Sequence, residues 1–245
     1  MDVLAQTLIV MPAYNEEAVV GDVVREVLEK LPGVHVLVVN DGSGDRTVQQ
    51  AAAAGAAVLD LPFNLGVGGA MRAGFKYAVA GGFRYVVQVD SDGQHDPAGV
   101  PALLDALRDH DVSIGARFAG EGSYEAKGPR RWAMVVLATV VSRIAGTKLT
   151  DTTSGFRGAG PRALEIFARH YPAEYLGDTV ESLVLAARAG CSITQVPVSM
   201  RARAGGTPSH APVKAAVYLG RACIALVIAL WRPPLALSPE PTPTA

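Results

Sequence analysis

The chain has 245 residues, 49% of them hydrophobic and only 18% charged, with a formal net charge of −1. That length allows one large α/β domain with a sizeable core, and the composition is rather apolar for a soluble protein. The near-zero charge excludes nucleic acid as a partner drawn in by bulk electrostatics. Cys191 and Cys223 lie in apolar surroundings without metal-ligand spacing and read as buried thiols in a reducing compartment. No cleavable leader is expected ahead of the first strand, and no internal repeat is visible.

Residues 7–11 read as a short apolar strand, which Pro12-Ala13-Tyr14-Asn15-Glu16-Glu17 breaks. Residues 18–31 place Val19, Val20, Val23, Val24, Val27, Leu28 and Leu31 on one side of a helix that Pro32-Gly33 ends. Residues 34–39 form the next strand, left by the polar loop Asn40-Asp41-Gly42-Ser43-Gly44-Asp45, with Asp45 as N-cap of a helix over 46–54. Two strand–loop–helix units in succession predict right-handed crossovers and a parallel sheet. A third strand, 56–61, leads to Asn64-Leu65-Gly66-Val67-Gly68-Gly69 at the start of a helix. This run lacks the full dinucleotide fingerprint and follows the third strand rather than the first, which disfavours a Rossmann cofactor fold. Its glycines either admit a phosphate or ring close to the backbone or permit tight helix–sheet packing.

Tyr85-Val86-Val87-Gln88-Val89 is a Val-rich run that ends in Asp90-Ser91-Asp92-Gly93-Gln94-His95-Asp96-Pro97. Apolar residues on both faces mark a buried parallel strand, and Asp96-Pro97 suits an N-cap and first helical residue. Asp90 and Asp92 then sit at the C-terminal edge of a sheet, where open α/β folds bind ligands. Carboxylates at i and i+2, with a Gln94 oxygen nearby, can share Mg²⁺ or Mn²⁺ whose shell substrate phosphates complete. Equally, such acids solvate a strand end and cap the following helix.

A helix over 98–110, a strand over 111–116 ending in Arg117, and a Gly-rich loop over 119–128 come next. Arg130-Arg131 opens an apolar helix to about residue 145, and Asp151 to Arg157 is a polar segment before a helix started by Pro161. Residues 117–157 hold seven Lys/Arg against three Asp/Glu. Solvated helix faces give such biases, but Arg117, Arg130, Arg131 and Arg157 lie at element ends where they can converge on phosphate. Asp178 and Glu181 are one turn apart at the start of a helix to Ala189, capped by Gly190; helix-dipole acids are the plain reading of that pair. The last strand is 192–200. Residues 211–232 suit an amphipathic, interfacial helix, since Arg221 interrupts an apolar run too short to span a bilayer; the alternatives are burial against the chain's own sheet or against an oligomer partner. Residues 233–245, with five prolines, read as disordered.

Pro12-Ala13-Tyr14-Asn15-Glu16-Glu17, Asn40-Asp41-Gly42-Ser43-Gly44-Asp45-Arg46-Thr47, Asn64-Leu65-Gly66 and the Asp90–Pro97 segment occur in that order. The series resembles the family 2 glycosyltransferases of GT-A fold, in the branch of dolichol-phosphate mannosyltransferase and bacterial polyprenyl-phosphate glycosyltransferases, over about residues 7–205. The resemblance implies a Rossmann-like, mostly parallel sheet flanked by helices in a domain of residues 1–210. It implies that Pro12, Ala13, Tyr14, Glu16, Asp41, Gly66, Asp90 and Ser91 line a UDP- or GDP-hexose site. Asp90, Asp92 and Gln94 match the metal pattern for Mg²⁺ or Mn²⁺, and Arg117 matches an arginine on phosphate. Arg131, with Arg130, Ser154 and Arg157, falls where that branch meets the acceptor phosphate.

The implied reaction is inverting hexose transfer to a polyprenyl phosphate, whose oxygen is already anionic and requires no strong base. Enzymes of the family that act on hydroxyls carry adjacent Glu-Asp; here the nearest match is Asp178-Thr179-Val180-Glu181, from which a hydroxyl acceptor would need its base. The added transmembrane helices common in that branch are not matched, so the expected location is cytoplasmic and peripheral at the inner membrane face, through the membrane surface or a small membrane protein. A homodimer is left open, as are a nucleotidyltransferase and a non-catalytic nucleotide-sugar binder.

Overall fold

The structure, a computed structural model, describes residues 3–116, 129–172 and 178–201, with backbone alone at 129–134, 136 and 178. Among these residues one mixed sheet contains β1 (Thr7–Ala13), β2 (His35–Asn40), β3 (Ala57–Asp60), β4 (Tyr85–Gln88), β5 (Val112–Ala116), β6 (Arg157–Ala159) and β7 (Ile193–Pro197). Their spatial order is β3-β2-β1-β4-β6-β5-β7. Neighbours are parallel except at β6, which runs antiparallel to both β4 and β5. Six strands therefore end on one edge of the sheet, and the chain enters β6 from that same edge.

The period of two along a strand divides the core. Leu8, Val10, Leu37, Val39, Val86, Val112 and Ile114 point to one face, covered by α3 (Gly66–Ala80), α5 (Pro129–Ala145), α6 (Pro161–His170) and α7 (Asp178–Arg188). Ile9, Met11, Val36, Val38, Val87 and Val89 point to the other, covered by α1 (Val20–Lys30) and α4 (Val100–Ala106). Burial of each such side chain contributes about 1.5–3 kcal/mol, which is why these strands lack polar alternation. The helix α2 (Thr47–Ala53) packs against α1 and β3. The outcome is the expected GT-A type of α/β fold, a mostly parallel sheet between helical layers.

Three local expectations change. Pro12 does not end β1, because the β1–β4 ladder stops at Val10↔Gln88 while the β2 ladder continues through Pro12↔Val39 to Ala13↔Asn40. A proline missing its N–H is harmless where no neighbour asks for it. Within the polar stretch Asp151–Arg157 a strand begins: Arg157, Gly158 and Ala159 form β6 between β4 and β5. The single helix expected over 98–110 is a 3₁₀ turn, Pro97–Gly99, passing into α4, which ends at Ala106.

No helix among the described residues is long and apolar enough to cross a membrane. Residues 202–245, including the amphipathic helix expected over 211–232 and the tail, lie outside the described residues.

Candidate active site

Loops leaving the parallel strands meet along one edge and are tied together by backbone-to-side-chain bonds. Asn15 adopts a left-handed φ of 56°. Its amide donates to Ser43 Oγ at 2.9 Å, and its side-chain oxygen accepts from the Gly44 amide at 2.9 Å. The Glu16 amide donates to Thr47 Oγ1 at 2.9 Å. Gly42 has φ 71° and passes so close to the next loop that a Cβ there would sit 2.8 Å from Asn64 N. Buried Asp41 accepts from the Leu65 and Gly66 amides at 2.7 and 2.8 Å, so it orders the start of α3. The Gly66 amide is thereby engaged inside the protein. Gly74 rests on Val10, where a Cβ would lie 2.5 Å from Val10 Cγ1; tight helix–sheet packing explains that glycine. Ser91 Oγ donates to the Pro12 carbonyl at 2.9 Å and joins the exits of β1 and β4.

Asp90 leaves β4 at the centre of this edge, with its side chain 37% exposed. Gln88 Nε2 donates to Asp90 Oδ1 at 3.1 Å. The Asp90 amide donates to His95 Nδ1 at 3.0 Å, and His95 Nε2 lies 3.5 Å from Asp90 Oδ2. Asp92 is buried, and its Oδ1 accepts from the Gln94 amide at 3.0 Å. Gly155 lies directly against the Asp90 carboxylate: a Cβ there would be 3.1 Å from Oδ2 and 3.2 Å from Oδ1. No group of three or more His, Cys, Asp or Glu side chains able to hold a metal occurs among the described residues. Two carboxylates and a Gln94 side-chain amide make a hard oxygen set that fits Mg²⁺ or Mn²⁺ only when a substrate supplies the remaining oxygens. The Gln94 backbone carbonyl accepts from the Arg201 amide at 2.9 Å, which ties this loop to the chain leaving β7.

An ion-pair network holds the far end of this loop. Lys30 Nζ is 2.8 Å from Glu26 and 3.0 Å from Asp96, and the Arg201 guanidinium is 2.7 Å from Glu26 and 2.8 Å from Asp96. Asp96 also accepts from the Ala98 amide at 3.0 Å, as its expected N-cap position requires. Burial alone would raise the Asp96 carboxyl, but the Ala98 hydrogen bond and the two cations overcome it and hold the group down at about 2.

Pro12, Ala13, Tyr14, Glu16, Asp41, Gly66, Asp90, Ser91, Asp92 and Gln94 thus share one edge, with Tyr14 51% exposed there. Arg157 differs from expectation. It is buried, and its guanidinium donates to the carbonyls of Ser154 (2.6 Å), Thr152 (2.7 Å) and Thr179 (2.5 Å) and to Ser182 Oγ (3.0 Å). With four of its donors spent inside the chain, it ties β6 to the first turn of α7 rather than presenting charge to a ligand. Ser154 is buried too, and its Oγ accepts from the Phe156 amide at 3.3 Å. The Arg157–Thr179 bond sets the first turn of α7, which contains Asp178 and Glu181, beside the start of β6. Arg130 and Arg131 occupy the first turn of α5, and Arg117 lies outside the described residues, directly after β5 ends on this edge. The sequence pattern does not single out Gln88, His95, Gly155 or Arg201. The signals for His95 and Gly155 were their places within the Asp90–Pro97 and Ser154–Arg157 segments; Gln88 and Arg201 carried none.

The glycosyl transferase family 2 model matches residues 8–166. The polyprenol monophosphomannose synthase of Mycolicibacterium smegmatis is 33% identical over 168 residues, 65% of this chain and 63% of the synthase, so the match spans less than two thirds of that relative. The undecaprenyl-phosphate mannosyltransferase of Micrococcus luteus is 31% identical over 203 residues, 79% of this chain and 83% of that protein. Among solved structures, glucosyl-3-phosphoglycerate synthase from Mycobacterium tuberculosis, in complex with Mn²⁺, UDP and glucosyl-3-phosphoglycerate, aligns with a TM-score of 0.70 at 21% identity. That alignment covers 94% of this chain and 84% of the synthase chain, and it concerns the fold.

Proposed function

The chain belongs to glycosyl transferase family 2, and from that premise we propose that it moves a hexose from a nucleoside diphosphate sugar to a polyprenyl phosphate, with inversion and with Mg²⁺ or Mn²⁺. The observation that carries this reading is the Asp90–Asp92 pair at the mouth of β4, one carboxylate held by Gln88 and the other by the Gln94 amide. The names of the mycobacterial and micrococcal relatives support the acceptor class.

Asp90, Asp92 and the Gln94 side chain would hold the cation, which when bound supplies Lewis-acid stabilisation of the departing diphosphate. Pro12, Ala13, Tyr14, Glu16, Asp41 and Ser91 would form the nucleotide wall. Arg117 would add charge-assisted hydrogen bonds as negative charge builds on the leaving group. Acceptor phosphate binding rests on Arg130 and Arg131, since Arg157 and Ser154 are engaged internally. A phosphate acceptor is anionic already, so no side chain need take its proton. A hydroxyl acceptor, with Asp178 or Glu181 taking its proton, is the second reading, supported by the Arg157–Thr179 bond that sets their helix turn beside the start of β6. Location at a membrane surface follows from the lipid acceptor, with residues 211–232 as the contact.

Incubation with radiolabelled UDP- and GDP-hexoses tests the acceptor. Label should pass into the organic phase only when polyprenyl phosphate is present. Label that instead moves to a water-soluble hydroxyl acceptor, or stays on the nucleotide, overturns the proposal.

A further inference from the structure

We infer that His95 is a positioning residue: it fixes the Asp90 carboxylate in the orientation a cation requires. The inference rests on the metal reading above and adds a residue to it.

His95 is 2% exposed and stacks on buried Phe156, with ring centroids 4.9 Å apart and planes 16° apart. Packing alone would explain a buried ring. It does not explain why both ring nitrogens are turned to a single residue. The Asp90 amide can only donate, so Nδ1, 3.0 Å away, must accept, and the ring proton belongs on Nε2. That nitrogen faces Asp90 Oδ2 at 3.5 Å, a close electrostatic contact rather than a formed hydrogen bond. Gln88 holds Oδ1 from the other side at 3.1 Å, and Gly155 lies against both oxygens. The carboxylate is thus bounded by three residues, while its side chain remains 37% exposed. Groups of this kind, one bond removed from a metal, typically alter its affinity 10- to 100-fold when changed.

Two substitutions separate the two nitrogens. In His95→Gln the side-chain NH₂ reaches the place of Nε2 and keeps an N–H turned toward Oδ2. In His95→Asn the side-chain oxygen takes the place of Nδ1 and keeps the acceptor for the Asp90 amide. Free Mn²⁺ is followed by electron paramagnetic resonance as protein is added with UDP or with GDP, and folding is checked by thermal melting in metal-free buffer. His95→Asn should weaken Mn²⁺ binding about tenfold or more, while His95→Gln stays within about threefold of the parent. An Asn variant that binds like the parent, or equal losses in both, overturns the inference. If neither variant folds, ¹⁵N NMR of the parent decides. An Nε2–H tautomer whose Nε2 resonance moves on adding Mg²⁺ with nucleotide supports the role, and an Nδ1–H tautomer or an unmoved resonance removes it. A parent that leaves Mn²⁺ free with both nucleotides ends the metal reading and this inference with it; a parent that binds, without the Gln/Asn split, ends only the role of His95.

Discussion

At the residue scale, the Asp90 carboxylate is the group on which the cation reading turns, with Gln88 Nε2 on one oxygen and His95 Nε2 facing the other. Asp90 and Asp92 stand out because two carboxylates close an apolar strand. What holds Asp90 is spread over the chain: Gln88, His95 and, from a segment more than sixty residues later, Gly155. Gly155→Ala should force the Asp90 carboxylate to move by a few tenths of an ångström. The expected result is a several-fold loss of metal affinity with a melting temperature close to the parent's; an unchanged affinity would show that the carboxylate tolerates the shift. Arg157 is the opposite case. Its basic character and loop position suggested phosphate, whereas its partners, Thr179 and Ser182, lie beyond the reach of any local pattern. Arg157→Met should remove the donors to the Thr152 and Ser154 carbonyls and lower stability by about 3–5 kcal/mol, read from urea unfolding. A loss of acceptor binding with stability intact would restore the ligand role expected from the sequence.

At the element scale, the strands with apolar residues on both faces and the amphipathic α1 were readable from periodicity. β6 was not: Arg-Gly-Ala has no strand pattern, and only the gap between β4 and β5 makes it one. The same limit hid the network of Glu26, Lys30, Asp96 and Arg201, which joins α1, the loop after β4 and the chain leaving β7. Because the Asp96 carboxyl is held at about 2, below its ordinary 3.8, its contribution to stability is complete above that ordinary value and is lost as pH falls toward 2. Arg201→Ala removes one of the two cations. The variant should be less stable at neutral pH by of order 1 kcal/mol after solvent screening. It should also lose less between about pH 4 and pH 2, because its Asp96 titrates closer to the unfolded value. Parallel stability–pH curves for parent and variant would contradict this.

At the scale of the whole molecule, the order of motifs along the chain conveyed the fold better than any single motif did. Parallel strands put successive loops on one edge, so four weak signals in sequence become one surface. Residues 211–232 are proposed as the membrane contact. Ending the chain at residue 210 should abolish flotation with anionic liposomes while transfer to a short-chain, water-soluble polyprenyl phosphate persists; unchanged flotation would assign the contact to another surface. The most direct test of the central claim is the rate of hexose transfer to polyprenyl phosphate, measured with Mn²⁺ or EDTA, for the parent and for Asp92→Asn. Transfer should fall at least about a hundredfold in EDTA, recover when Mn²⁺ is restored, and stay low in Asp92→Asn under both conditions. Near-normal turnover in EDTA, or a fully active Asp92→Asn protein, would contradict a cation held at the mouth of β4.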